Sequence, residues 1–77
     1  MILKNKLTKE VVDVSYKDFR KRFSKEIQDA YESFKQTELA KTFYNFQDDN
    51  LLESDFYFQL RWNFNNHGNS NWYIESL

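Results

Sequence analysis

The sequence predicts a small α+β domain in which a long helix packs on one face of a small antiparallel sheet. Three observations carry that expectation. Phe19, Phe23, Ile27, Ala30, Tyr31 and Phe34 recur at steps of three and four residues, the spacing of a core-facing helical stripe. Phe56, Phe58, Leu60, Trp62 and Phe64 alternate with Tyr57, Gln59, Arg61 and Asn63, the period of a strand with one buried face. Near the two ends, Val11, Val12 and Val14 and then Trp72, Tyr73 and Ile74 are strand-favouring residue types.

Seventy-seven residues suffice for one domain, taken as 1–77, with too little interior for both a full core and a deep substrate cleft. Eight Phe, five Tyr and two Trp can build that core from few side chains, without metal or disulfide staples. Cysteine is absent, which excludes disulfides and zinc fingers. The net charge of −1 argues against a molecule that is electropositive all over, as a general nucleic-acid or membrane binder would be. No apolar run approaches a bilayer span, and Lys4, Asn5 and Lys6 interrupt the apolar start, so no signal segment is expected. A soluble cytoplasmic domain is the expectation.

Taken in order, residues 2–14 read as an N-terminal β-hairpin around Thr8-Lys9-Glu10, although the connection lacks the Gly or Asn that a tight primed turn prefers. Ser15 is placed as a helix N-cap, with Asp18 three residues on, and the amphipathic helix is expected over about 16–36. Beyond Gln36 the stripe breaks: Leu39, Phe43 and Phe46 would point to the opposite side. A break with Thr37 as a new N-cap, and a short second helix over 38–46, accommodates them. An acidic connection follows, and then a C-terminal β-hairpin of 56–64 and 72–76 joined by the polar loop Asn65 to Asn71. The alternative is a mostly α chain with 51–66 helical, signalled by Asn50 with Glu53 as a capping box and by Gly68 as a C-cap. That alternative would throw Phe58 and Trp62 to the face opposite Phe56, Leu60 and Phe64, so the strand is preferred.

Chemistry-bearing motifs are few. His67 is the single histidine and sits among loop-forming Asn, Gly and Ser, with no spacing that supplies an orienting acid or an oxyanion site. Asp48, Asp49, Glu53 and Asp55 lack the spacing of a twelve-residue calcium loop and read as a solvated acidic connection. One glycine cannot form a phosphate cradle. No catalytic residue, metal or cofactor is therefore assigned, and the chain is read as a non-enzyme.

Two binding surfaces are candidates. Lys17, Arg20, Lys21, Arg22 and Lys25 crowd the first turns of the long helix, a patch for an acidic partner or for phosphates. The same residues also suit a solvated face in which Asp18–Arg22, Arg22–Glu26 and Lys25–Asp29 pair at four-residue spacing. Leu39, Phe43, Phe46 and Trp72 form an apolar surplus that one helix on one sheet does not cover, a possible interface for a partner or for a homodimer. In the strand reading Tyr57 and Arg61 face outward and give only weak grounds for base stacking.

In composition the chain resembles small phage and mobile-element accessory proteins: short, aromatic-rich, free of cysteine and without catalytic motifs. That resemblance implies a role on a host or defence protein, in the host cytoplasm if the chain is phage-encoded, and it assigns no residue. The function expected is a non-enzymatic protein-interaction module. A small nucleic-acid-binding regulator using the basic helix face ranks second.

Overall fold

In a computed structural model, which describes residues 1–38, 40, 41 and 49–77, strands gather the two ends of the chain and helices fill the middle. The order is β1 (Ile2–Asn5), β2 (Val11–Asp13), α1 (Tyr16–Arg22), α2 (Ser24–Lys35), α3 (Asp49–Phe58), α4 (Leu60–His67) and β3 (Trp72–Ser76). The α+β class therefore stands. The sheet is antiparallel with β1 in the middle, in the order β2-β1-β3.

The N-terminal hairpin forms without glycine because polar side chains build its turn. Asn5 Oδ1 accepts from the backbone N–H groups of Leu7 and Thr8 at 2.9 and 3.0 Å, and Thr8 Oγ1 accepts from Glu10 N at 3.2 Å. Lys9 completes the reversal at φ 66°, in the left-handed region that an L side chain adopts at a cost. The register sets Leu3 opposite Val12 on one side and opposite Ile74 on the other. Leu3 and Ile74 are fully buried, and Val12 packs against the core they join.

The helix expected over 16–36 forms as two pieces. Ser15 caps α1 as anticipated, its Oγ accepting from Asp18 N at 3.1 Å. Phe23 leaves helical geometry at φ −109°, ψ 27°, and α2 restarts at Ser24. The apolar stripe survives the kink: Phe19, Phe23, Ile27, Ala30 and Phe34 are all buried. Thr37 then ends one helix and starts another turn. Its hydroxyl donates to Phe34 O at 2.8 Å and accepts from Ala40 N at 3.2 Å, and Glu38, Ala40 and Lys41 are helical. Leu39, Phe43 and Phe46, and most of the short helix expected over 38–46, lie outside the described residues.

The strand expected over 56–64 is a correction. Residues 49–58 and 60–67 are helices, so the C-terminal hairpin of 56–64 with 72–76 does not exist, and the helical alternative for 51–66 describes this segment. Leu52, Phe56, Leu60 and Phe64 are buried at four-residue steps, a stripe that the alternating pattern hid because Phe56, Leu60 and Phe64 fit both periods. The strand at 72–76 does form, but it pairs with β1, at the other end of the sequence.

Three contacts fix the second helix pair. At its kink, Gln59 takes φ −114°, ψ 49°, and the Phe56 carbonyl accepts from the buried Asn63 side chain at 3.0 Å. Asn65 pairs its amide with the backbone of Ile74 twice, donating to Ile74 O at 2.9 Å and accepting from Ile74 N at 2.7 Å. That amide imitates a neighbouring strand and covers the outer edge of β3. Arg61 adds a hydrogen bond to the Glu75 carbonyl. Past α4, Gly68 leaves no room for a side chain: a Cβ there would stand 2.7 Å from Phe64 O and 3.8 Å from Ala30 Cβ.

Aromatic edges tie these layers together. Phe19 meets Phe64 edge-on at 5.4 Å, Phe23 meets Trp72 at 5.2 Å, and Phe56 meets both Tyr31 at 5.3 Å and Phe34 at 5.7 Å. No helix among the described residues is long and apolar enough to cross a membrane.

Candidate functional site

The segment Asp49–Phe58 carries apolar residues on two sides, and among the described residues only one side packs against the core. Leu52 and Phe56 turn toward α2 and the core. Phe58 and Trp62, four residues apart across the Gln59 kink, turn outward and are 84% and 63% exposed. Leu51 is exposed as well. Sequence reasoning had placed Phe58 and Trp62 inside with the rest of the alternating set.

Three adjoining hollows run along this ridge, sharing their walls. The first, about 570 Å³, lies between α1 and α3 and is lined by Tyr16, Arg20, Asn50, Glu53, Ser54, Tyr57 and Phe58. The second, about 340 Å³, is bounded by Leu51, Ser54, Asp55 and Phe58. The third, about 270 Å³, is lined by Phe34, Thr37, Asp55, Gln59, Trp62, Asn63 and His67. Phe58 and Ser54 belong to the first two, and Asp55 belongs to the last two.

The charge at the first hollow is partly internal. The Arg20 guanidinium lies 4.3 Å from the centre of the Tyr57 ring and 5.8 Å from that of Tyr16. Burial pushes the Tyr57 phenol above its ordinary pKa of 10.0, and Arg20 opposes part of that rise. Tyr57 is thus a protonated phenol across the physiological range. Its oxygen accepts from the Arg20 side chain, and its ring is a stacking face for that guanidinium.

The basic residues singled out from the sequence are all exposed but differ in what they meet. Arg20 is turned to the tyrosines, and Arg22 lies 5.6 Å from the Phe23 ring. Of the three pairings expected at four-residue spacing, only Lys25–Asp29 comes within ion-pair distance, at 3.9 Å between exposed side chains, where such a pair contributes little. Lys17 and Lys21 are exposed and make no ion pair among the described residues. The kink at Phe23 sets Lys25 on a different helix from the other four.

The other singled-out residues are dispersed. Trp72 is half-buried with its ring edge against Phe23, so it completes the core beside the sheet. His67 sits in the last turn of α4, not in a loop, with its ring 5.9 Å from that of Phe34. Among the described residues no three of His, Asp and Glu stand close enough to share a metal ion. Asp48 lies outside the described residues.

A further hollow of about 310 Å³, lined by Asn5, Lys25, Glu26, Asp29 and the 69–72 turn, is polar and carries both signs of charge. Its turn groups serve the fold, since Ser70 Oγ accepts from Trp72 N and Asn71 O from Lys6 N.

Phe58 and Trp62 were the functional candidates that sequence reasoning missed. One signal pointed to them: a four-residue stripe of Leu52, Phe56, Leu60 and Phe64 leaves both on the far side of a helix. Comparison with protein-family models, with curated proteins and with solved structures finds no match to this chain.

Proposed function

We propose that the protein is a non-enzymatic protein-binding module that docks a partner on the Phe58–Trp62 ridge. The observation that carries this reading is the exposure of those two aromatics beside ready-made hollows. An exposed Phe forfeits about 1.5–3 kcal/mol relative to burial, so placing it outward suits a surface that another molecule covers. Core positions of protein interfaces are enriched in Trp, Phe and Tyr, which fill pockets and bring large contact areas. The fold does not depend on the ridge, because Phe19, Phe56, Phe64, Leu3, Leu52 and Ile74 already supply a fully buried core. Panning a random peptide display library against the full chain tests the reading. Selected binders are expected to lose binding to a Phe58→Ser/Trp62→Ser variant whose circular dichroism and melting match the parent. Binders indifferent to both substitutions overturn it.

A second reading, a small nucleic-acid-binding regulator, is supported by Lys17 and Lys21, exposed and without ion pairs among the described residues. Labelled DNA and RNA titrated at low salt decide it. No binding by the parent, or binding retained by Lys17→Glu/Lys21→Glu, removes this reading.

A further inference from the structure

We infer that the partner segment received by the Phe58–Trp62 ridge is cationic: a lysine or arginine flanked by apolar side chains, its charge meeting Asp55. This rests on the docking reading above and names the chemistry of the occupant.

Among the described residues, Asp55 is the one charged residue that lines both the Phe58 hollow and the Trp62 hollow. It is half-buried and makes no ion pair among the described residues. Helix α3 itself contains no lysine or arginine, and Glu53 adds a second carboxylate at the neighbouring hollow. The nearby arginines are engaged. Arg20 lies over Tyr57 in the first hollow, Arg61 donates to the Glu75 carbonyl, and His67 lines the Trp62 hollow with its ring against Phe34.

A purely apolar partner that covered both aromatics would strip water from Asp55 and leave the carboxylate unpaired, a strongly unfavourable outcome. A lysine or arginine between two apolar side chains removes that penalty. An exposed aromatic side chain of the ridge also attracts such a charge. The same argument disfavours a second copy of the chain. Two ridges meeting about a two-fold axis would bring Asp55 and Glu53 toward their own equivalents.

The test uses three fluorescein-labelled peptides of identical apolar spacing that carry lysine, serine or glutamate between the apolar residues. Anisotropy titrations against the full chain are run at low and moderate salt. A Trp72→Phe background lets the emission of Trp62 report contact at the ridge directly. The lysine peptide is expected to bind most tightly and to shift the Trp62 emission to shorter wavelength. Asp55→Asn is expected to weaken it by about tenfold, as for loss of one partner in a partly desolvated charge pair. Asp55→Lys is expected to reverse the order in favour of the glutamate peptide.

If Phe58→Ser abolishes binding while Asp55→Lys leaves the lysine preference intact, the cationic inference is overturned and the docking surface stands. If the Phe58→Ser/Trp62→Ser variant binds all three peptides like the parent, both are overturned. Light scattering that finds a dimer dispersed by Phe58→Ser makes a second copy the occupant, and the cationic inference falls.

Discussion

Each helix pair in this molecule turns at one residue, Phe23 between α1 and α2 and Gln59 between α3 and α4, with similar backbone angles of φ −109°, ψ 27° and φ −114°, ψ 49°. In the first pair the kink residue is itself buried and the apolar stripe continues through it. In the second the kink residue is exposed, the Phe56 carbonyl is answered by a side chain, and two aromatics are left in water. The first pair has apolar residues on one face and needs one neighbour. The second has them on two faces and, among the described residues, finds a neighbour for one. A helix with two apolar faces in a domain this small is therefore where a binding surface is to be sought.

The sharpest way to break this comparison is to truncate both faces of α3. Phe56→Ala removes a fully buried ring that touches Tyr31 and Phe34, and is expected to cost about 3–5 kcal/mol in urea unfolding. Phe58→Ala is expected to change stability by less than about 0.5 kcal/mol, as for a surface site. Equal losses at the two positions would mean that Phe58 belongs to the core.

The kink comes next. Asn63→Leu leaves the Phe56 carbonyl without its donor and is expected to cost about 1–3 kcal/mol by the same measurement. Asn65→Ala removes both hydrogen bonds to Ile74, with an expected loss of about 1–2 kcal/mol and faster amide exchange in β3 than in β2. Unchanged exchange in β3 would show that the β1 pairing alone holds that strand.

Two smaller effects sharpen the picture away from the core. Lys9→Gly relieves the left-handed turn residue and is expected to raise stability by up to about 1 kcal/mol in thermal melts. Tyr57 gives a pH signature. Its phenol holds its proton more tightly folded than unfolded, so its contribution is fully present below pH 10.0 and is lost as pH rises through the folded value. Stability should thus fall more steeply above pH 10 in the parent than in Tyr57→Phe, read from melting temperatures across that range.

Much of the first half was legible in the residues. Ser15 and Thr37 announced where helices begin, and both hydroxyls accept the backbone hydrogen bonds that such caps require. The stripe from Phe19 to Phe34 and the hairpin valines were equally readable, because local spacing and local hydrogen bonding decide them. The second half was not, for a definite reason. Phe56, Leu60 and Phe64 satisfy a two-residue and a four-residue period at once, so the pattern alone leaves strand and helix both open. The candidate surface followed the same ambiguity. As a strand, the segment hides Phe58 and Trp62; as a helix, it exposes them.

The sequence by itself thus determined the α+β class, the buried helical stripe from Phe19 to Phe34 and the caps at Ser15 and Thr37, along with the strands at both ends of the chain, since neighbouring residues along the chain settle each of these. Only the tertiary structure decided that β3 pairs with β1, and hence that 56–64 has no place in the sheet. Once Asn65 occupies the outer edge of β3 and Gly68 brings α4 against Ala30, the segment is held as helix and its second apolar face turns to water. Pairing between residues some seventy positions apart carries no local signature, because its free energy appears only when the ends of the chain have met.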